Sequence, residues 1–239
     1  MNNFDKDLIS KYIPLEKQEE ALKKLETGYP VQYIIGNVDF FGNIIDVNEN
    51  VLIPRFETEY LVEHLLFYLR RYEFDNPKIL EVGTGSGCIS IALAKSIKCS
   101  IDAIDISKKA LEVAKNNAKK NNTEINFINE DIANYKAKTK YNVLISNPPY
   151  VAYNEEVDPK TKYEPQNAIF AVENGLYYYN LILDKASSLL TKENIIAFEI
   201  GKDQAEAIKE KALKVFPKAT IIVLKDLNKF DRYLFIINE

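Results

Sequence analysis

A regular alternation of strand-like and helix-like segments, beginning at Pro77, constrains the fold of this chain more than any other feature. Short apolar runs such as KILEV (78–82) and YNVLIS (141–146) are separated by longer amphipathic segments, one of which has Ser107 as a plausible N-cap. Strands that alternate with helices form parallel sheets with helices on both faces. The pattern therefore predicts a doubly wound, mostly parallel α/β domain.

Both ends of the chain depart from this alternation. The last two apolar runs, TIIVLKD and RYLFII, are joined by a short polar turn and predict an antiparallel strand pair. Near the start, Leu15, Leu22 and Leu25 recur at helical spacing, and the runs VQYII and NIIDV then predict a hairpin. We predict two parts: a short helix with a hairpin in residues 1–50, and the α/β domain in residues 51–239.

Composition excludes several classes of protein. The chain has 239 residues, with two cysteines and one histidine, too few for a disulfide framework or a structural zinc site, and we expect no metal. No apolar run is long enough for a membrane helix, and the start carries no secretory signal, so we expect no membrane partner. We expect a cytoplasmic protein, or one of an organelle matrix if a targeting segment has been removed. The net charge of −4 argues against a protein that grips nucleic acid through its phosphates.

A glycine-rich loop, Gly83-Thr84-Gly85-Ser86-Gly87, joins the first predicted strand of the alternation to the following helix. Glycine allows a tight turn and a close approach of backbone to ligand at a helix N-terminus. Asp105 ends the next strand, where a carboxylate can bind both hydroxyls of a ribose. A dinucleotide loop would have glycine or alanine at the sixth position, which is Cys88, and Glu81 would lie awkwardly beside a pyrophosphate.

These features favour S-adenosyl-L-methionine (SAM), which has a ribose and an ammonium group but no phosphate. Asp131, after the third strand, is placed to cap the amino group of an adenine. The candidate cofactor-binding residues are Glu81, Gly83, Thr84, Gly85, Ser86, Gly87, Asp105, Asp131, Ile132 and Asn147.

The sequence Asn147-Pro148-Pro149-Tyr150 directly follows the fourth predicted strand of the alternation. In a doubly wound sheet the first and fourth strands are neighbours, and ligands bind beyond their carboxyl ends. The Asn147 side-chain oxygen and the Pro148 carbonyl could each accept one N–H of a planar NH₂ group, and Tyr150 offers a flat face. We predict Asn147, Pro148 and Tyr150 as catalytic residues in methylation of such a nitrogen, with Pro149 completing the substrate site.

Several segments together resemble the HemK/PrmC family of SAM-dependent methyltransferases, which modify the glutamine of the Gly-Gly-Gln motif in peptide-chain release factors. They are TGYPVQYIIGNVDFFG, LIPRFETEYLVE (52–63), YEPQNAIFAVENGLYYY (163–179), FEIGKDQAEAI (198–208) and KDLNKFDRYLF (225–235), in addition to the Asn-Pro-Pro-Tyr sequence. The resemblance covers residues from about 28 to the C-terminus. It implies a class I methyltransferase fold, SAM as cofactor, a release factor as partner and a role for residues 1–50 in recognising it. We expect a monomer.

The chain departs from the family pattern at three places. Phe56 and Glu57 replace a usual proline and aspartate, Ile132 stands where some members have an aromatic residue, and the N-terminal helical region is short. Arg55 is a candidate for the substrate pocket, with an ion pair to Glu57 or Glu81 as the alternative.

Three other functions remain open at this point. Amino-adenine methyltransferases of RNA or DNA share the Asn-Pro-Pro-Tyr sequence, but such an enzyme would be expected to carry a basic groove or an added recognition domain. A ribosomal-protein glutamine is another possible acceptor, and a catalytically silent SAM-binding module is the third alternative.

Overall fold

The N-terminal part of the chain forms three helices and a hairpin in the computed structural model, which describes residues 3–239. The helices are α1 (Asn3–Tyr12), α2 (Leu15–Glu26) and α3 (Val31–Ile35), and the hairpin pairs β1 (Asn37–Phe40) with β2 (Asn43–Asp46). One helix was predicted for this region, and the structure has three.

The prediction that VQYII is a strand is wrong, because these residues form α3. Pro30 precedes the first turn, and Gly36 ends the helix in a left-handed conformation with φ +88° and an N–H that donates to Gln32. Val31 is buried against α1 and α2. A five-residue apolar run gives no period by which a buried strand and a buried helical turn can be told apart, and here tertiary packing decides.

The remaining segments form the predicted α/β domain. Its elements are α4 (Phe56–Arg71), β3 (Lys78–Val82), α5 (Cys88–Ser96), β4 (Ser100–Asp105), α6 (Lys108–Lys120), β5 (Asn126–Asn129), β6 (Tyr141–Ser146), β7 (Val151–Ala152), β8 (Phe170–Ala171), α7 (Tyr177–Leu189), β9 (Leu190–Glu199), α8 (Ala205–Val215), β10 (Thr220–Lys225) and β11 (Asp231–Asn238). Two short 3₁₀ helices, Pro159–Tyr163 and Gln166–Ala168, lie between β7 and β8. The Ser107 hydroxyl caps α6 as predicted.

Seven strands form the central sheet in the order β10-β11-β9-β6-β3-β4-β5. The pairs from β9 to β5 are parallel, whereas β11 runs antiparallel to both β9 and β10. The predicted doubly wound sheet and its antiparallel C-terminal pair are confirmed. Strand β3 lies between β6 and β4. Because β3 and β6 are parallel neighbours, the loops that follow them lie side by side at the carboxyl-terminal end of the sheet.

Two apolar layers cover the faces of the sheet. Residues from α4 and α5 pack on one face with Ile79 and Val143, and residues from α7 and α8 pack on the other with Leu80 and Leu144. The hairpin residues Phe40 and Ile45 belong to the first layer, while α1, α2 and α3 share a small cluster of their own. The boundary at residue 50 stays a prediction.

Within residues 3–239, both cysteines are free, and no helix is long and apolar enough to cross a bilayer. The same residues contain no cluster of three or more His, Cys, Asp or Glu side chains that could hold a metal ion.

Candidate active site

The glycine loop between β3 and α5 lines one side of a cavity of about 210 Å³. Gly83 and Gly85 have φ +75° and +54°, and a Cβ atom at either position would meet nothing within 4 Å. The loop thus presents bare backbone to open space. Gly87 begins α5 with φ +83°, where a side chain would press on Ala114.

Asp105 ends β4 opposite this loop and lines the same cavity. One carboxylate oxygen accepts the Gly85 N–H at 2.8 Å and the other accepts the Ser107 N–H at 2.8 Å. Burial raises the pKa of Asp105, and the two backbone donors oppose this shift. A carboxylate has about four lone-pair positions, so two remain for the adjacent hydroxyls of a ribose.

Glu81 does not line this cavity; it supports the glycine loop from below. Its Oε2 accepts hydrogen bonds from the hydroxyls of Thr84 and Ser90. Burial raises the pKa of this carboxyl to about 7, against the effect of these donors. Thr84, Ser86 and Gly87 belong to the loop, but they do not line this cavity.

The far wall of the cavity combines predicted and unpredicted residues. Asp131 and Ile132 both line it, as do Ile106 from the β4–α6 turn and Tyr177 and Tyr178 from the start of α7. These last three residues were not predicted to line it. A run of three tyrosines resembles ordinary packing residues, and only the chain path brings its first two members to this cavity.

A second cavity, of about 470 Å³, lies on the other side of Asn147 and Pro148. Tyr150 lines this second cavity, Pro149 lines the first, and Asn147 and Pro148 line both. Nothing within residues 3–239 donates a hydrogen bond to the Asn147 Oδ1 or to the Pro148 carbonyl oxygen. Two acceptors are thus available on the wall between the cavities.

The Asn-Pro-Pro-Tyr segment is held from behind by two residues that follow β8 and β9. The Gln204 side chain donates to the Tyr150 carbonyl oxygen at 2.8 Å and accepts the Gly201 N–H at 2.9 Å. Gly175 has φ +81°, and a Cβ atom there would lie 2.0 Å from the Tyr150 carbonyl oxygen. The backbone of this segment is therefore fixed by close packing.

Arg55 lines the second cavity and pairs with Glu164 at 2.5 Å, not with Glu57 or Glu81. The other Glu164 oxygen accepts the Ile53 N–H at 3.0 Å. Glu164 is buried, and its two contacts join the segment before α4 to the end of the first 3₁₀ helix. Arg55 thus helps to build the wall of this cavity.

Sequence comparison relates the chain to known methyltransferases. The model of the methyltransferase small domain family matches residues 55–163. A release factor glutamine methyltransferase of Staphylococcus aureus is 38% identical over 222 residues, which cover 90% of this chain and 78% of that protein. One from Streptococcus pneumoniae is 41% identical over 217 residues, covering 88% and 76%. The chain belongs to the release factor glutamine methyltransferase family.

Solved structures show the same fold. A Pyrococcus furiosus methyltransferase superposes with a TM-score of 0.62 at 18% identity, covering 82% of this chain and 89% of that one. A release factor-specific protein-(glutamine-N5) methyltransferase of Alicyclobacillus acidocaldarius gives 0.51 at 23% identity, covering 81% and 99%. The family membership and the methyltransferase fold expected from the resemblance are confirmed.

Proposed function

We propose that this chain transfers a methyl group from SAM to the side-chain amide nitrogen of the glutamine in the Gly-Gly-Gln motif of a peptide-chain release factor. The observation that carries the proposal is the wall formed by Asn147 and Pro148. It separates a cavity that ends at the glycine loop and Asp105 from a second cavity lined by Tyr150.

The residues of the first cavity fit SAM. Gly83 and Gly85 leave room for the methionine part beside the backbone, and Asp105 has free lone pairs for the ribose. Ile106, Ile132 and Tyr178 offer apolar surface to an adenine ring. When bound, SAM supplies a methyl carbon that its sulfonium makes electrophilic.

The acceptor nitrogen of a glutamine side chain is a weak nucleophile, because its lone pair is delocalised into the carbonyl group. Asn147 Oδ1 and the Pro148 carbonyl would each accept one of its two N–H groups. This would turn the face of the amide plane, where the nitrogen lone pair lies, toward the methyl group. Transfer would form the new C–N bond as the C–S bond of SAM breaks, with S-adenosylhomocysteine as the leaving group, and the methylated nitrogen would release one proton to water. Orientation by fixed dipoles is the catalytic contribution of these residues.

The test is transfer of labelled methyl groups to a folded release factor. We expect mass spectrometry to find one added methyl group on the Gly-Gly-Gln glutamine, and none on a release factor in which that glutamine is replaced by glutamate. Adenine-containing RNA, a ribosomal-protein preparation and no acceptor form the other arms. Methylation of RNA or of a ribosomal protein alone would contradict the proposal, as would binding of SAM without transfer to any acceptor.

Asn147→Ala tests the role of the shared wall. We expect turnover to fall by about 100-fold or more, because one of the two acceptors that orient the amide is lost. The dissociation constant of S-adenosylhomocysteine (SAH), measured by calorimetry, should change less than about threefold, since Asp105 and the glycine loop remain. Turnover equal to that of the parent enzyme would contradict the assigned role.

A further inference from the structure

A line of three side chains leads from the candidate catalytic amide into the protein interior. The Asn147 Nδ2 donates to the Thr58 hydroxyl at 3.1 Å, and that hydroxyl donates to Glu199 Oε2 at 2.7 Å. Thr58 lies in the first turn of α4 and Glu199 ends β9, so residues far apart in the chain meet beside the shared wall, and Glu199 also lines the second cavity. Thr58 is 3% exposed and Glu199 2%.

The chemistry of these groups fixes the direction of every hydrogen bond in the line. Both oxygens of the Glu199 carboxyl group accept hydroxyl hydrogen bonds, so the single proton of the Thr58 hydroxyl points to Glu199. The Thr58 oxygen is then left with lone pairs alone, and it can contact Asn147 only through the NH₂ group of that side chain. The carboxamide is thereby turned so that Oδ1 faces away from Thr58, toward the cavities.

We propose that Thr58 and Glu199 are positioning residues, which hold the Asn147 carboxamide with its oxygen toward the acceptor nitrogen. The inference rests on the proposed function, in which the acceptor is an NH₂ group. If the carboxamide were reversed, its NH₂ would face the NH₂ of the substrate, and two donors would meet. An asparagine side chain differs little in shape between the two orientations, so only its hydrogen-bond partners can choose between them.

Each oxygen of Glu199 accepts one hydroxyl hydrogen bond. Its other oxygen, Oε1, accepts the Tyr150 hydroxyl at 3.3 Å, and the Arg232 guanidinium lies beside that hydroxyl at 3.4 Å. Arg232 is held in turn by Asp226 at 3.2 Å and by the Ile200 carbonyl oxygen at 3.0 Å. Burial raises the pKa of Glu199, while the Thr58 hydrogen bond and the positive charge of Arg232 lower it, and Glu57 raises it.

The first experiment compares Thr58→Val with Thr58→Ser in the full chain. Valine keeps the shape of threonine but removes the hydroxyl, so the Asn147 amide loses the partner that orients it. We expect kcat for release-factor methylation to fall about 10- to 100-fold, with the KM for the release factor and the dissociation constant of SAH within about threefold of the parent values. Serine keeps the hydroxyl and should restore most of the lost kcat.

Glu199→Gln is the second variant. An amide can donate to the Thr58 oxygen and so allow the hydroxyl to point to Asn147, which favours the reversed carboxamide. We expect kcat to fall with little change in SAH binding. Thr123→Val is the matched control, since Thr123 donates to the Ala118 carbonyl oxygen at 3.2 Å and does not line either of the two cavities of the site.

Four results would contradict one of the two proposals. A Thr58→Val enzyme with the kcat of the parent would overturn the inference, and so would equal losses in the valine and serine variants. A fall in kcat accompanied by an equal loss of SAH affinity would show a merely structural role for Thr58. If the parent enzyme methylates RNA and no release factor, the proposed function fails instead, and the same variants measured on RNA still test the positioning role.

Discussion

Gly175 illustrates at the scale of one residue how the candidate active site depends on positions outside it. The residue has φ +81°, and its missing side chain leaves room for the Tyr150 carbonyl oxygen and the Gln204 amide. Both of these groups belong to the support of the Asn-Pro-Pro-Tyr segment. A side chain at position 175 would therefore act on the site through the backbone of Tyr150.

Gly175→Ala is expected to lower both stability and turnover. The left-handed conformation costs alanine roughly 1–2 kcal/mol, and the clash with Tyr150 adds to that cost. Gly28→Ala is the matched control, because Gly28 has φ +83° with nothing within 4 Å of an added Cβ atom. Urea unfolding should show a larger loss for Gly175→Ala than for Gly28→Ala, and turnover should fall only in the former. Equal losses of stability in the two variants would show that the contact with Tyr150 does not contribute to the effect of Gly175→Ala.

Individual site residues were predictable from the sequence where a local motif marks them. Asp105 ends one apolar strand and Asn147 directly follows another, and the topology then brings both to one cavity. Thr58, by contrast, has no local signal, since a threonine in the first turn of a helix is common. Its importance follows from its hydrogen bonds to residues 89 and 141 positions further along the chain.

At the scale of elements, β3, the glycine loop and α5 are joined by one buried carboxyl group. Glu81 near the end of β3 accepts hydrogen bonds from Thr84 in the loop and Ser90 in α5. Burial raises its pKa from the ordinary 4.5 to about 7. The folded protein therefore binds the Glu81 proton more tightly than the unfolded chain does, and ionisation of this group opposes folding.

This linkage predicts that the contribution of Glu81 to the free energy of unfolding falls as the pH rises from about 4.5 to about 7. Over that range Glu81 should remove up to roughly 3 kcal/mol of unfolding free energy, and little more above it. Glu81→Gln removes the titrating group. The difference between the variant and the parent, measured by urea unfolding at several pH values, should shift in favour of the variant as the pH rises. The exposed Glu112→Gln serves as control, and parallel pH curves for Glu81→Gln and the parent would contradict the prediction.

Most elements were predictable because their hydrophobic pattern and their end signals agree. Strand β3 has the predicted bounds, and α6 begins after Ser107 as expected. Helix α3 was not predictable, because Val31 and Tyr33 are residues that favour strands and only their burial against neighbouring parts of the chain makes a helical turn stable. The same limit applies to β7 and β8, which have two residues each and, within the part of the chain that the structure describes, pair only with one another.

At the scale of the whole molecule, the N-terminal helices are tied to the wall of the second cavity. Asp5 in α1 pairs with Lys160 at 2.9 Å, and Lys160 belongs to the 3₁₀ helix that lines this cavity. The Tyr163 hydroxyl donates to the Thr27 carbonyl oxygen at 3.0 Å. A change in α1 can therefore reach the cavity where the release factor is proposed to bind.

Lys160→Ala is expected to raise the KM for the release factor by about two- to fivefold. The expected change is small because the Lys160–Asp5 ion pair is partly exposed. The dissociation constant of SAH should stay the same, because the cofactor cavity does not include this residue. Lys120→Ala is the matched control, since it removes the Lys120–Asp46 pair on another part of the surface. Steady-state kinetics with the release factor as varied substrate checks both variants, and an unchanged KM for Lys160→Ala would contradict the expectation.

The wall formed by Asn147 and Pro148 also has a consequence for the order of events. Besides these two residues, the two cavities share only Leu52 and Ala168 among the residues described, and each has its own remaining lining. We therefore expect the small donor and the large polypeptide acceptor to approach the wall from different sides. On that expectation, spent donor exchanges for fresh donor while the methylated polypeptide is still docked.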